Sequence, residues 1–265
     1  MLRIGKQSMH LNKIYLALAL VSFVLINLLS GSSSAMGNVR YVDSVGHNFL
    51  FRGEGLVNDE TGNFDIDHLY DAIYSAGELA NVSVPEPFFY IVDVNLLNIE
   101  NGDDFSRVWT EYDFFEDNPG LGQLQYWPTR GTDTKSTDKS IISDEEFRDI
   151  LAKNANVWLR DPLVDRVDQL RLWLNSSESQ LGISDPIVIY VHCSGGCDRT
   201  GEMIGAYELR YMNMSWEEVN LNNNERCEGS PNSCINYEST RWYCLWLNQN
   251  KNFSLDCDEE FPCYV

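Results

Sequence analysis

The sequence predicts an α/β fold, with a mostly parallel central sheet flanked by helices and an anion-binding loop between a strand and a helix. Three observations carry this. Phe88–Leu97 (FFYIVDVNLL) and Pro186–Val191 (PIVIYV) are short runs of apolar, β-branched and aromatic residues, the pattern of strands buried on both faces. Segments with helical spacing of apolar residues lie between and after these runs. Strands that alternate with helices form βαβ units, which build parallel sheets.

Taken in order, the elements begin with an N-terminal sorting signal. Ile14–Leu29 is uncharged and apolar, Arg3, Lys6 and Lys13 precede it, and small residues from Ser30 to Ala35 follow. That layout is a secretory signal over residues 1–35, cleaved after Ala35 or retained as a signal anchor. Residues 36–265 then form a single domain with a Cys-rich C-terminal tail. His47–Gly55 reads as a short strand and turn. Phe64–Leu79 is an amphipathic helix with Ile66, Leu69, Tyr70 and Ile73 on one face, ending near Gly77. Pro85 and Pro87 introduce the Phe88–Leu97 strand. Leu124–Trp127 is another strand, running into Pro128, Gly131 and a polar loop that reaches Ser143. Ser143-Asp144-Glu145-Glu146 is a capping box that opens a helix to about Asn154. Asp161-Pro162 is an N-cap followed by proline at the first helical position, and Leu163, Val167, Leu170 and Leu174 line one face beyond it. After the Pro186–Val191 strand, Gly201–Met212 is helical, and Ser215-Trp216-Glu217-Glu218 caps a further helix.

Composition narrows the function. With 265 residues and a hydrophobic fraction of 43 %, the chain is long and apolar enough for one large buried core, not a disordered segment. Its net charge is −21, from 40 acids against 19 bases. Without the N-terminal signal, which holds three bases and no acid, the balance is −24. Such a field repels nucleic acid and anionic lipid, so no nucleic-acid partner is expected, and membrane contact only through an uncleaved anchor. Four Asn-X-Ser sequons, at Asn81, Asn175, Asn213 and Asn252, accord with a secreted or luminal glycoprotein. Of seven cysteines, Cys227, Cys234, Cys244, Cys257 and Cys263 cluster near the C-terminus, with Cys227–Cys234 and Cys257–Cys263 as short-range disulfide candidates. Cysteine and histidine spacing of the zinc type is missing from the sequence, so neither a metal nor a cofactor is expected.

The chemistry concentrates in His192-Cys193-Ser194-Gly195-Gly196-Cys197-Asp198-Arg199-Thr200-Gly201. A buried strand enters this stretch, a glycine loop turns it and a helix leaves. The geometry aims successive backbone N–H groups into one concavity at a helix N-terminus, where an anion is favoured. Arg199 is placed to grip two phosphate oxygens bidentately. Cys193 at the floor feels the helix dipole and the Arg charge, which favour the thiolate. Gly195 and Gly196 let backbone approach the ligand, while Ser194 and Cys197 complete the cradle. Thr200 is placed to donate to the sulfur, and His192 to fix the loop. A reversible Cys193–Cys197 disulfide is also expected, since a reactive thiol meets a second cysteine four residues on.

His192-Cys193, five residues, then Arg199-Thr200-Gly201 resembles the signature of the cysteine-dependent protein tyrosine and dual-specificity phosphatase superfamily. Compatible strand and helix order extends over about residues 88–225. Asp198 before the Arg is similar to the myotubularin-type lipid phosphatases. The resemblance implies a phosphatase acting on phosphomonoesters through a cysteinyl-phosphate intermediate, without metal. Cys193 is then the nucleophile, and Arg199 with the loop amides binds phosphate. The implied substrate is a phosphotyrosine or other phosphoprotein. The alternatives are a phosphoinositide or inositol phosphate, or a non-catalytic phosphate-binding module. The loop lacks the Lys usual in phosphoinositide-directed relatives and the chain is strongly acidic, which favours phosphoprotein. Three residues compete for general acid. Asp133 follows Trp127-Pro128, similar to the family's acid loop but with Thr129 where Asp stands. Asp161 lies 32 residues before Cys193, a spacing close to that of compact dual-specificity members. Asp198 is the myotubularin-like choice.

Overall fold

The computed structural model describes residues 38–264, apart from 59–60, 87–88, 101, 132–144, 159–160, 176–181, 184–185, 228 and 230–231. The N-terminal signal, Asp133 and the Ser143-Asp144 half of the expected capping box lie outside the described residues.

At the centre stands β5 (Ile187–Cys193), every residue of which is buried. It pairs in parallel with β2 (Asn48–Glu54) on one side and β3 (Tyr90–Asn95) on the other. β4 (Gly122–Tyr126) extends the sheet in parallel beyond β3, and β1 (Arg40–Val45) closes the other edge antiparallel to β2. The order is β1-β2-β5-β3-β4, a mixed and mostly parallel sheet. Around it pack α1 (Ile66–Leu79), α2 (Gly102–Asp117), α3 (Glu145–Lys153), α4 (Leu163–Asn175), α5 (Asp198–Tyr211), α6 (Trp216–Arg226) and α7 (Cys234–Lys251). Among the described residues, no helix is long and apolar enough to cross a membrane.

Side chains alternate across a strand with period two, and that rule divides the core into two layers. Ile187, Ile189, Val191 and Cys193 of β5 join Leu50, Val92 and Val94 on one face. Leu163, Val167, Leu170 and Leu174 of α4 cover them, the four residues that the helical spacing picks out, together with Met203 of α5 and Trp242 of α7. On the opposite face, Val188 and Tyr190 meet Phe49, Phe51 and Ile91 beneath Leu69 and Ile73 of α1 and Phe115 of α2. The expected cap of α6 is in place: the Ser215 hydroxyl accepts from the Glu218 N–H, and the Glu218 carboxylate accepts from the Ser215 N–H. Three sequon asparagines, Asn81, Asn213 and Asn252, have positive φ just after helices. Asparagine tolerates that left-handed, helix-ending conformation, so these positions have a conformational reason of their own.

Three elements escape the hydropathy pattern: β1, α2 and α7. In α2 the pattern is mixed, because Phe105, Trp109 and Tyr112 are exposed while Asp104 and Glu111 are buried alongside Val108 and Phe115. In α7 the polar residues Asn236, Glu238, Ser239, Thr240 and Arg241 are buried, which blurs the apolar stripe.

The cysteine pairing also differs from expectation. The bonds are Cys197–Cys227, Cys234–Cys263 and Cys244–Cys257, so Cys227–Cys234 and Cys257–Cys263 are not the pairs. Cys227 caps α6 whereas Cys234 begins α7, where the C-terminal tail reaches it through the isolated Ser233–Tyr264 bridge. Closeness in sequence therefore gave the wrong partner for both. Three disulfides mark a chain that matures in an oxidising environment. Cys244–Cys257 closes a separation of 13 residues. Replacing both cysteines by alanine should remove about 3 kcal/mol of stability, read as a fall in the urea midpoint with a somewhat steeper slope, because the denatured chain expands once the cross-link is gone.

Candidate active site

Cys193 ends β5 and Asp198 begins α5, so four residues turn the chain from strand to helix. Gly196 makes this turn at φ +70°, and a Cβ there would stand 2.7 Å from the Gly53 carbonyl oxygen. No other residue fits that close approach at that φ. At Gly195 a Cβ would meet nothing, so only one of the two glycines is required by the backbone. The turn is fastened to β2. The Gly55 N–H donates to the Ser194 carbonyl at 3.3 Å. Arg52 donates through Nη2 to the Gly196 carbonyl and to Asn223 Oδ1, each at 2.7 Å. Arg52 is 1 % exposed. Burial, with Arg226 adding, pulls its pKa down to about 10, against the charges of Glu208 and Cys193. With these carbonyls held by the scaffold, the first-turn N–H groups of α5, which have no acceptor within the helix, are left for a ligand.

Two guanidinium groups flank the turn, and both are held through α2. Arg199 Nη1 lies 2.7 Å from Asp104 Oδ2. Arg107 Nη1 donates to Ser194 Oγ at 2.8 Å. Burial opposes the charge on Arg199, but the negative charge of Cys193 and the bond to Asp104 outweigh it and raise its pKa. The thiol and the guanidinium thus share one electrostatic neighbourhood. Cys193 is buried and is the one free cysteine among the described residues. Cys197 is bonded to Cys227, so the expected Cys193–Cys197 disulfide is replaced by a brace from the loop to α6. The Thr200 hydroxyl is fully buried and has no hydrogen-bond partner among the described residues, the Cys193 sulfur included.

The three candidate acids fall in different places. Asp161 is 0 % exposed. One of its oxygens accepts from the N–H groups of Arg130 and Gly131, at 2.9 and 3.1 Å, and the other pairs with Arg166 at 2.8 Å. Its carboxylate pins the loop that follows Trp127-Pro128. Asp198 accepts from the Ser233 N–H at 2.6 Å and from the Tyr264 hydroxyl at 2.5 Å, so it ties α5 to the C-terminal tail. Asp133 lies outside the described residues.

Behind the loop lies a group that the sequence pattern does not show. Alternation along β3 and β5 puts Asp93 and His192 on the same sheet face, under Glu111 of α2. His192 Nε2 is 2.9 Å from Asp93 Oδ1 and 3.4 Å from Glu111 Oε2. None of the three is exposed. Asn95, whose Oδ1 accepts from the Leu97 N–H, donates to Glu111. Burial, with Glu111 adding, pushes Asp93 up to about 6 against the opposing pull of His192. Burial works to lower the His192 pKa, but Glu111 and Asp93 together hold it well above the usual histidine range.

Sequence reasoning missed Arg52, Asp104, Arg107, Asp93 and Glu111. One signal was present: Asp104, Arg107, Val108, Glu111 and Phe115 recur at i, i+3, i+4, i+7 and i+11, one helix face that mixes charge with apolar residues. A face of that kind is expected where a helix covers a polar site.

No protein-family model and no curated protein sequence matches the chain. Solved structures do. A leucine-rich repeat and phosphatase domain containing protein from Entamoeba histolytica aligns with 81 % of this chain and 96 % of its own, at 9 % identity and a TM-score of 0.36. Human DUSP28 aligns with 78 % of this chain and 95 % of its own, at 11 % identity and a TM-score of 0.34. A human tyrosine phosphatase-like serine/threonine/tyrosine-interacting protein aligns with 75 % and 93 %, at 12 % identity and a TM-score of 0.33.

The two loop glycines give a contrast. Gly196→Ala should cost more than about 2 kcal/mol, from the left-handed conformation and the contact with Gly53. Gly195→Ala should leave the melting temperature nearly unchanged.

Proposed function

We propose that the protein is a cysteine-dependent phosphatase that hydrolyses phosphomonoesters of protein side chains, phosphotyrosine foremost. The observation that carries this reading is the free Cys193 at the junction of β5 and α5, in the same electrostatic neighbourhood as Arg199. The Cys193 thiolate attacks phosphorus, the ester oxygen leaves with a proton from an acid, and water then cleaves the sulfur–phosphorus bond to free phosphate. Arg199 and the α5 N-terminal amides bind the non-bridging oxygens, whose charge spreads in the transition state. Arg107, which already reaches Ser194, adds a second cation at the rim. Ser194, Gly195, Gly196, Cys197 and Thr200 form the wall of the cradle. The acidic surface disfavours polyphosphorylated ligands. The disulfides and the N-terminal apolar run support action in the secretory pathway or outside the cell.

Asp133 serves as the general acid in this reading, because Asp161 and Asp198 already spend their oxygens on the scaffold. Asp133 follows the loop that Asp161 anchors, two residues beyond Gly131.

Cys193→Ser should abolish release of phosphate from p-nitrophenyl phosphate and from a phosphotyrosine peptide while inorganic phosphate still binds. Retained turnover in that variant refutes the mechanism, and a wild-type protein that binds phosphate without turnover identifies a binding module. Faster hydrolysis of a phosphoinositide than of the peptide overturns the substrate assignment.

Asp133→Asn should lower kcat on the phosphotyrosine peptide by about 10²-fold or more. The loss should be smaller on p-nitrophenyl phosphate, whose leaving group needs less protonation. Equal losses on both substrates would remove Asp133 from the role. Asp161→Asn, by contrast, should lower the melting temperature, since it weakens the partner of a buried Arg166.

A further inference from the structure

We propose that Asp93, Glu111 and His192 form a buried site for one divalent first-row transition cation, of the zinc or manganese class, seated behind the phosphate loop. The proposal does not depend on the protein being a phosphatase.

Each of the three residues offers one donor atom, and all three atoms lie within 4.8 Å of one another. Two donors on one ion, each about 2.1 Å from it, stand roughly 3.0–3.4 Å apart at octahedral to tetrahedral angles. The separations from His192 Nε2, 2.9 Å to Asp93 and 3.4 Å to Glu111, agree with that spacing. The alignment does not suit hydrogen bonding. His192 Nε2 has no hydrogen-bond partner among the described residues, and neither has either oxygen of Asp93 or Oε1 of Glu111, though all are buried. A proton bridges two atoms along a line, whereas an ion sits among three. Here the imidazole nitrogen stands near two oxygens and is directed at neither.

A divalent cation would take the place of the proton that the two carboxylates otherwise hold on His192, and would balance their charge in a compartment closed to water. Imidazole with two carboxylates suits zinc and manganese. Of the surroundings, Asn95 orients Glu111 and the Tyr190 ring stacks on His192 with centroids 5.3 Å apart, while His192 Nδ1 has no hydrogen-bond partner among the described residues. The ion's role is structural: it would fix His192, and through it the base of the loop. The three residues are distant in sequence, so no spacing motif announces them.

The full chain is expressed with Zn2+ or Mn2+ in the medium, freed of loose metal and measured by plasma mass spectrometry. The wild type and Cys193→Ser should each hold about one ion per folded chain, and the doubly substituted Asp93→Asn/Glu111→Gln protein about a tenth of that or less. Should the double variant not fold, Co2+-loaded wild type decides: its visible spectrum should show nitrogen and oxygen ligation with no thiolate-to-cobalt band. Removing the ion from the wild type with chelator should lower the melting temperature, and Zn2+ or Mn2+ should restore it. A folded wild type that takes up neither ion, a thiolate band that assigns the ion to Cys193, or full retention in the double variant would each overturn the site. A shared proton would then account for the cluster.

Discussion

The site rests on one constraint: β5 is the central strand, buried on both faces, and its side chains must alternate between them. Cys193 therefore faces the layer built with α4, α5 and α7, while His192 faces the layer under α1 and α2. Successive residues of one strand thus serve opposite halves of the protein. One half supplies the packed backing of the thiol. The other supplies Asp93, Glu111 and Asn95 around the imidazole. Where the strand ends, the chain must open into a turn tight enough to begin a helix within five residues, and Gly53 and Gly196 meet there as backbone against backbone.

α2 connects these halves. Its inner face bears Asp104 against Arg199, Arg107 against Ser194 and Glu111 beside His192, so one helix touches the end, the start and the underside of the loop. A shift of this helix along its axis would disturb all three contacts together. Positioning here comes from a single rigid element carrying charge at helical spacing, with Phe115 anchoring it in the core.

Much of this was legible in the sequence. PIVIYV, the glycine turn and the helix after it are local signals, and together they were strong enough to place Cys193 at the end of a strand and Arg199 at the start of a helix. The four leucine and valine positions of α4 and the Ser215 cap were equally plain, because spacing and capping act within a few residues. What was hidden depends on distant partners. An acid in the middle of a strand, as Asp93 is, carries no local sign of the imidazole that faces it. The aromatic residues of α2 suggest a buried stripe, yet Phe105 and Trp109 are more than half exposed, and the buried face carries charge beside Val108 and Phe115. Disulfide partners are equally remote: Cys197 meets Cys227 across 30 residues of intervening chain. Asp161 has the spacing of an acid but the surroundings of a structural anchor, a difference that only its three donors reveal.

The bond between Cys197 and Cys227 has a practical consequence. Thiol enzymes are commonly handled in reducing agents, which keep the nucleophile from oxidising. In this protein the same reagents act on a sulfur of the turn itself, four positions from the free thiol of Cys193. Dithiothreitol would protect one cysteine while severing the tether that holds its neighbour to α6. Storage under inert gas, with no added thiol, preserves both.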